Sequence, residues 1–493
     1  MSGKKKDDWR WPEEPIETDA ARRAQVKAIT SPYGWHPPPF CYPGTQLSDD
    51  ITELAAHLLP LQINNIGTHT HAEAPERGFE AADRMERETI YMIADALSNH
   101  DGVAPIDVPE RVEGYFCGGG TEANDMGLWV GREFLGRHPD PMGRGIAVLC
   151  TPLTHYSVHK ATAKLGIGQS KWSACPSCGK AHIFTPDPSG AGVTLVGMNE
   201  NGSMHVGAPL EEKEPDVDFG ELQRVFRLKY DEGFRRFIIV PTVGTTEFGS
   251  IDDVARIAKF VREFVRRTTS AQCYIHVDAA IGGFTVPFAG NPGDSWPSFG
   301  FDIPEVMSVT VDGDKMGRLP YPAGIFLCRK HLQRLVDRQV PYIGSHHDDT
   351  FSGSRTCVAP VLAWYLFGRG RKDQREYVRA CIKARDDLAT ELEAPRFKGW
   401  VTVRPHSPFV NILPVELRID PVSGEVPEAL LREHAVLVPY VLRSDGFQKD
   451  PRDPQSCTAS TYKLSIWPHT IPYVPQFIAD LIRAKEEWDR RPT

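Results

Sequence analysis

Two residues at the ends of short apolar runs carry the first chemical signal in this chain. Asp278 closes the run Cys273-Tyr-Ile-His-Val-Asp278, and Lys315 follows Val306-Met-Ser-Val-Thr-Val-Asp312-Gly-Asp314. β-branched runs of this length, bounded by Gly and Pro, read as buried parallel strands. In open α/β sheets, ligands gather where the carboxyl ends of such strands emerge. A carboxylate and an amine presented there match the needs of a pyridine aldehyde: an anion for the ring nitrogen and a nucleophile for the aldehyde. The cofactor this implies is pyridoxal 5′-phosphate. A buried carboxylate is costly unpaired, and a protonated ring nitrogen would offset that cost while keeping the ring an electron sink. The bland alternative has Asp278 capping the next helix. Asp312 and Asp314 tend to hold Lys315 charged, which opposes nucleophilic attack unless the site reorganises.

Three further stretches could serve the same site. Gly118-Gly119-Gly120-Thr121-Glu-Ala-Asn124 reads as a turn into a helix N-terminus, where free N–H groups and the positive dipole end favour an anion. It is neither a Walker loop nor a dinucleotide fingerprint. Thr154-His155-Tyr156-Ser157 follows the strand Ile146 to Cys150, and an imidazole there can stack on a ring or move a proton. Val240-Pro-Thr242 ends another strand and offers a hydroxyl. Taken singly, each of the three is also compatible with a purely structural role.

The elements that must position these residues alternate between strand and helix from about residue 56 to 365, as a parallel sheet with crossover helices requires. The pattern predicts helices over 79–97 and 121–135 and strands at 114–117, 146–150, 237–242, 273–278 and 306–312. Residues 1–55 are rich in Pro and Trp and read as an N-terminal arm that wraps a partner subunit. Residues 172–215 read as a surface insertion. From 366 to 493 a charged helix (Arg369 to Leu392), short strands and a last helix (Val474 to Trp488) read as a small α+β domain.

Composition excludes several classes. The 493 residues carry 56 Lys+Arg against 65 Asp+Glu, a formal charge of −9, which argues against nucleic acid as a partner. No stretch reaches the roughly 18–20 apolar residues of a membrane helix. Ten cysteines in so long a chain are too sparse for a disulfide scaffold, so a reducing cytoplasm is expected. Cys175-Pro-Ser-Cys178 with His182 offers three ligands at most to a zinc ion, short of a closed structural site; a zinc-binding interaction module there is the non-enzyme alternative.

The ordered set of Gly-Gly-Gly-Thr-Glu-Ala-Asn, Thr-His-Tyr-Ser, Gly-Thr-Thr-x-x-Gly-Ser-Ile-Asp, His-Val-Asp-Ala-Ala and Asp-Lys-Met-Gly resembles the group II pyridoxal-phosphate decarboxylases. That group includes the aromatic-amino-acid, glutamate and archaeal tyrosine/aspartate decarboxylases, with sphingosine-phosphate lyase a relative. The resemblance spans about residues 60 to 365. It implies fold type I (aspartate-aminotransferase-like), α/β with a mostly parallel sheet, working as a homodimer with the active site at the subunit interface. It implies decarboxylation of an L-amino acid to the amine and CO₂; a carbon–carbon lyase or an amine-oxidising aldehyde synthase is the alternative on the same scaffold. By resemblance Lys315 is the Schiff-base lysine, Asp278 the ring-nitrogen partner and His155 the ring-stacking histidine. Gly119, Gly120 and Thr121 fall on phosphate-binding positions, Thr242 on a ring-contacting one, and His276 and Asp312 are further cofactor-binding candidates. Ser352-Gly353-Ser354-Arg355 looks like a segment that reaches a neighbouring subunit's phosphate, and Tyr342 like a loop tyrosine that protonates the substrate carbon. Asp314 departs from the family, where many members carry His. His69, His71, Ser345, His346 and His347 are candidates for the substrate pocket.

Overall fold

The computed structural model describes residues 18, 20–21, 23–24, 46–70, 79–99, 104–174, 181–207, 220–268, 270–291, 293–343, 346–417 and 461–490. Seven strands form the main sheet: β1 Val112–Cys117, β2 Ile146–Cys150, β3 Gly192–Leu195, β4 Arg236–Ile239, β5 Gln272–Asp278, β6 Val306–Asp312 and β7 Gly324–Arg329. Their spatial order is β1-β7-β6-β5-β4-β2-β3. The pairs β6/β5, β5/β4, β4/β2 and β2/β3 are parallel, and only β7 runs against its neighbours. The carboxyl ends of the other six strands therefore share one edge.

Burial explains why these runs are strands. Ile275 and Val277 of β5 enter one apolar core with Val309 and Val311, while Tyr274 enters a second on the opposite face with Ile238 and Phe326. With both faces covered, the strands read as near-continuous apolar runs. Strand alternation then puts Tyr274, His276 and Asp278 on one face, against the Gly120–Gly136 helix. That helix carries Gly127 and Gly131 where the sheet comes close: a Cβ on Gly127 would lie 2.2 Å from His276 Cε1, and one on Gly131 2.9 Å from Tyr274 Cδ1.

Helix Glu80–Ser98 lies beside β1, and helix Asp49–Leu58 sends Ile51 into the main core. The stretch read as an arm over 1–55 thus ends inside a packed helix. Within 172–215, a ribbon of Lys171–Ala174 and Ala181–Thr185 is followed by β3, which joins the sheet edge. The surface-insertion reading is corrected at β3, whose Val193 is buried against β2 and its neighbours. The helix expected over Arg369 to Leu392 begins at Arg371, with a separate helix Val358–Phe367 before it; Gly370, at φ +91°, breaks the chain between them.

A third core lies around the antiparallel strands Val401–Val403, Ile412–Leu417 and Thr461–Ser465 with helices Arg371–Leu392 and Val474–Asp489. Among the described residues no helix is long and apolar enough to cross a membrane.

One buried ion pair ties the N-terminal part of this assembly together. Arg355 Nη1 meets Glu86 Oε1 at 3.0 Å, and the same guanidinium donates to the carbonyls of Phe116 and Gly67. Burial raises the Glu86 carboxyl, but Arg355 and His69 outweigh it and hold it at about 2. Removing one partner of such a pair strands a buried charge. Arg355→Met is expected to cost about 3–5 kcal/mol in denaturant unfolding; a loss near zero would show that Glu86 is compensated without it.

Candidate active site

Five strand ends converge on one cavity of about 530 Å³. It is lined by the Gly118–Thr121 turn after β1, His155 after β2, Thr242 after β4, Asp278 at the end of β5, and Asp312, Asp314 and Lys315 after β6. Each side chain arrives there because its strand ends there.

Gly119 sits at φ +146°, a backbone region that favours glycine. The Gly120–Gly136 helix starts beside it, and Gly118 N–H is taken by Glu122 Oε2 at 2.9 Å. The next N–H groups of a helix start have no intrahelical acceptor and suit an anion. β7 backs this turn closely: a Cβ on Gly324 would lie 2.3 Å from the carbonyl carbon of Gly119.

Asp278 is buried, 3% exposed. Asn124 Nδ2 donates to its Oδ2 at 2.9 Å and Ala280 N–H to its Oδ1 at 3.2 Å, both neutral donors. Asn124 is held in turn by His276, whose Nε2 lies 2.9 Å from Asn124 Oδ1, while His276 Nδ1 lies 2.7 Å from Ser308 Oγ. Tyr274 O–H donates to Ser308 Oγ at 2.9 Å. Burial pulls the His276 imidazole down to about 4, against the pull of Asp278, so it is neutral near neutral pH. A consistent direction follows: Tyr274 donates to Ser308, Ser308 to His276 Nδ1, His276 Nε2–H to Asn124, and Asn124 to Asp278.

Asn124 Nδ2 also donates to Ser157 Oγ at 2.9 Å, and Ser157 Oγ lies 2.8 Å from His155 Nδ1. Ser157 N–H donates to the same nitrogen at 3.3 Å. Nδ1 is therefore an acceptor, which leaves the proton of neutral His155 on Nε2. Burial lowers the His155 pKa, with Asp278 pulling the other way.

Lys315 Nζ is 2.8 Å from Asp312 Oδ2. Burial would lower its pKa, but Asp312, with Asp278 and Asp314 adding to it, outweighs burial and raises it. Thr242 is fixed by its backbone N–H, which donates to Asp252 Oδ2 at 2.7 Å. Burial pushes Asp252 up to about 6, with Thr242 and Met204 N–H groups pulling down.

The residues fit pyridoxal phosphate. Thr242 Oγ1, Asp312 Oδ1 and Asp314 Oδ2 are buried without a hydrogen-bond partner, and the Asp278 carboxylate is met by neutral donors on the cavity's inner wall. The amine of Lys315 and the glycine turn line the same space.

Comparison with known proteins agrees. The model of the pyridoxal-dependent decarboxylase conserved domain matches residues 210–398. A probable L-tyrosine/L-aspartate decarboxylase of Methanopyrus kandleri is 30% identical over 79% of this chain and 86% of its own length. The chain belongs to the pyridoxal-dependent decarboxylase family. A tryptophan decarboxylase of Clostridium sporogenes is 28% identical over 66% of this chain and 67% of its own. The solved L-methionine decarboxylase of Streptomyces sp. 590 superposes with a TM-score of 0.68 at 21% identity, over 98% of each chain. That likeness carries the fold, which is fold type I, and the decarboxylase family carries the cofactor, pyridoxal 5′-phosphate.

Other expected site residues of this decarboxylase lie elsewhere in the chain. His276 is wholly buried behind Asn124, so it touches Asn124 rather than the cavity. Tyr342 is 87% exposed and does not line the cavity. Ser352, Gly353 and Ser354 also lie outside its lining, although Phe351 is within it. His69 pairs with Asp83 and Glu86, and His347 with Asp337. His346, at φ +58°, sits in the same loop as Tyr342. Cys175, Cys178, His71, Ser345 and the side chain of His182 lie outside the described residues.

Asn124, Gly127 and Ser157 were not singled out as functional from sequence. The available signal was the four-residue spacing of Gly127 and Gly131, which clears one helix face three residues beyond Asn124. Losing the Asn124 amide would leave Asp278 and His276 each short of a partner, at about 1–3 kcal/mol per buried group. Asn124→Ala is expected to lower kcat/KM by about tenfold to a hundredfold; unchanged kinetics would remove Asn124 from the site's support.

Proposed function

We propose that the chain converts an L-amino acid to the corresponding amine and CO₂, with Lys315 carrying the cofactor and Asp278 facing its ring nitrogen. The observation that carries this is the shared cavity. One buried carboxylate held by neutral donors, one amine and one glycine-bounded helix start all open onto it. Pyridoxal phosphate, when bound, supplies a conjugated cationic ring that accepts the electron pair left behind as CO₂ departs.

The chain's own residues then have separable tasks. The Gly119–Thr121 backbone would hold the phosphate, and Asp278 would keep the ring nitrogen protonated. Thr242 would offer its unpartnered Oγ1 to the ring, and His155 would lie against the ring. Holding the substrate so that its Cα–carboxylate bond stands across the ring plane is a positioning effect. His155 can move a proton only through Nε2, since Nδ1 accepts from Ser157. Lys315, held as an ammonium by Asp312, must pass a proton before its nitrogen attacks, and Asp312 is the acceptor within reach.

Family membership puts decarboxylation ahead of carbon–carbon lyase or aldehyde-synthase chemistry. The described lining favours an apolar or aromatic substrate side chain over an acidic one. Five carboxylates (Glu122, Asp125, Asp278, Asp312, Asp314) line the cavity against one cation, Lys315, while Tyr156, Tyr321 and Phe351 stand at it with exposed rings. Those exposed rings also support a homodimer in which a second subunit covers the cavity, with Ser352-Gly-Ser354 and Tyr342 serving across the interface. Free cysteines at Cys117, Cys150, Cys273, Cys328, Cys357 and Cys381 support a cytoplasmic setting.

Borohydride treatment of the holoenzyme should fix the cofactor on Lys315, read by mass spectrometry of the peptide, and Lys315→Ala should lose both the adduct and turnover. Asp278→Ala should retain the adduct and lose about 3–4 kcal/mol of transition-state stabilisation. Normal turnover in either variant rules out its assigned role. For the substrate, CO₂ release from L-tryptophan and L-tyrosine should exceed release from L-aspartate; the reverse order would overturn the side-chain reading alone.

A further inference from the structure

Resting on that cofactor assignment, the charge balance around the glycine turn leads one step further. Asp312 and Asp314 both line the cavity beside this turn. A Cβ on Gly120 would lie 2.7 Å from Asp312 Oδ2. Gly313 N–H donates to Ala323 O at 2.7 Å, which pins the Asp312–Lys315 turn to the strand start that touches Gly119. A phosphate on the glycine turn would therefore meet Asp312, with Asp314 lining the same cavity two residues further on.

The cations do not match them. Lys315 is the one Lys or Arg lining the cavity among the described residues, and its Nζ is committed to Asp312. Asp314 is 3% exposed, and its Oδ2 is buried without a hydrogen-bond partner. Burial first, then the Asp312 charge, raises the Asp314 carboxyl to about 7, against the pull of Lys315 and Ala323 N–H. The remaining ionisable groups around the cavity do not neutralise it. Glu122 accepts from Gly118 N–H, Asp125 is paired with Lys164, Asp278 is held by Asn124, and burial favours neutral His155. An ionised Asp314 would place a buried, unpaired carboxylate beside a phosphate dianion.

We propose that Asp314 is a protonated anchor for the cofactor's phosphate: it binds as the neutral carboxylic acid, donates from Oδ2 to a phosphate oxygen, and releases the phosphate when it ionises. While the phosphate is bound the proton stays on Asp314; on ionisation it passes to solvent, and no bond to the cofactor forms or breaks. The sign is fixed by linkage. The bound form holds a proton that the free site loses as pH rises, so affinity falls with rising pH.

Pyridoxamine 5′-phosphate tests this without turnover, because it carries no aldehyde and cannot link to Lys315. Its phosphate is already largely dianionic above about pH 7, since the second phosphate pKa is about 6. Pyridoxamine without the phosphate controls for ionisations of the ring and amine common to both probes. With cofactor-stripped protein, the affinity ratio of the two probes, read by fluorescence titration between about pH 7 and about pH 9, should fall by about tenfold per pH unit. In Asp314→Asn the ratio should be nearly constant and should exceed that of the unaltered protein at the alkaline end. A constant ratio in the unaltered protein, or the same slope in Asp314→Asn, overturns the proposal. Failure of both probes to bind at every pH would overturn the cofactor assignment and the proposal together.

Discussion

The buried carboxylate of Asp278 is the constraint around which the site is arranged. An anion at the end of a central strand, 3% exposed, is unfavourable unless every lone pair has a donor. A cationic side chain beside it would satisfy the charge but would also close the site to a ring nitrogen. The chain uses neutral donors instead: the Asn124 amide and the Ala280 N–H. Neutral donors lower the cost of burial without cancelling the charge, so the carboxylate keeps its attraction for a cationic ring. The rest of the relay follows from the need to hold one amide in one orientation. An unrestrained Asn124 could turn its oxygen toward Asp278, and His276 Nε2–H prevents this by occupying that oxygen. His276 in turn needs space within a close-packed helix–sheet contact, which Gly127 provides.

A second tension lies at the end of the neighbouring strand, β6. Lys315 offers the one amine lining the cavity among the described residues, yet Asp312 stabilises its charged form. The ion pair keeps the lysine in position and keeps Asp312 from burying an unpaired charge, at the expense of reactivity in the free protein.

The strands were legible because burial on both faces leaves an unambiguous signature. Ile146–Cys150 and Val306–Asp312 are observed as the apolar runs suggest, and Asp278 terminates β5 as the run ending in it implies. Residues whose role depends on contacts across the fold were not legible. Asn124 reaches Asp278 across 154 positions in sequence, and nothing local marks an asparagine in a helix's first turns as a donor to a distant strand. Arg355 looked like an anion-binding residue next to Ser-Gly-Ser, but it is consumed by Glu86, 269 positions away. His69 looked like a pocket histidine and is held by Asp83 and Glu86. Composition names the groups able to do chemistry; which of them remain uncommitted depends on long-range pairing. β3 escaped notice for a related reason: an edge strand of four residues, Gly192–Leu195, is too short for its periodicity to stand out from a loop.

The C-terminal core is coupled to the site through the loop that carries Thr242. Val243 and Ile251 bridge this loop at its base, and Gly249 at its tip is so close to the small sheet that a Cβ would lie 3.1 Å from Ile412 Cβ and 3.2 Å from Val410 Cγ1. Glu247 in the same loop is raised by burial and pulled down by Lys463 on the strand Thr461–Ser465. In that strand Tyr462 and Leu464 enter the third core, so alternation turns Lys463 to the other face. The loop supplying Thr242, Gly244 and Thr246 to the cavity is therefore shaped from two sides, by Asp252 just before helix Val254–Thr268 and by the small sheet beyond Gly249. Shifts of the small sheet would reach the cavity through backbone contact at Gly249, where the absence of a side chain leaves little slack to absorb them.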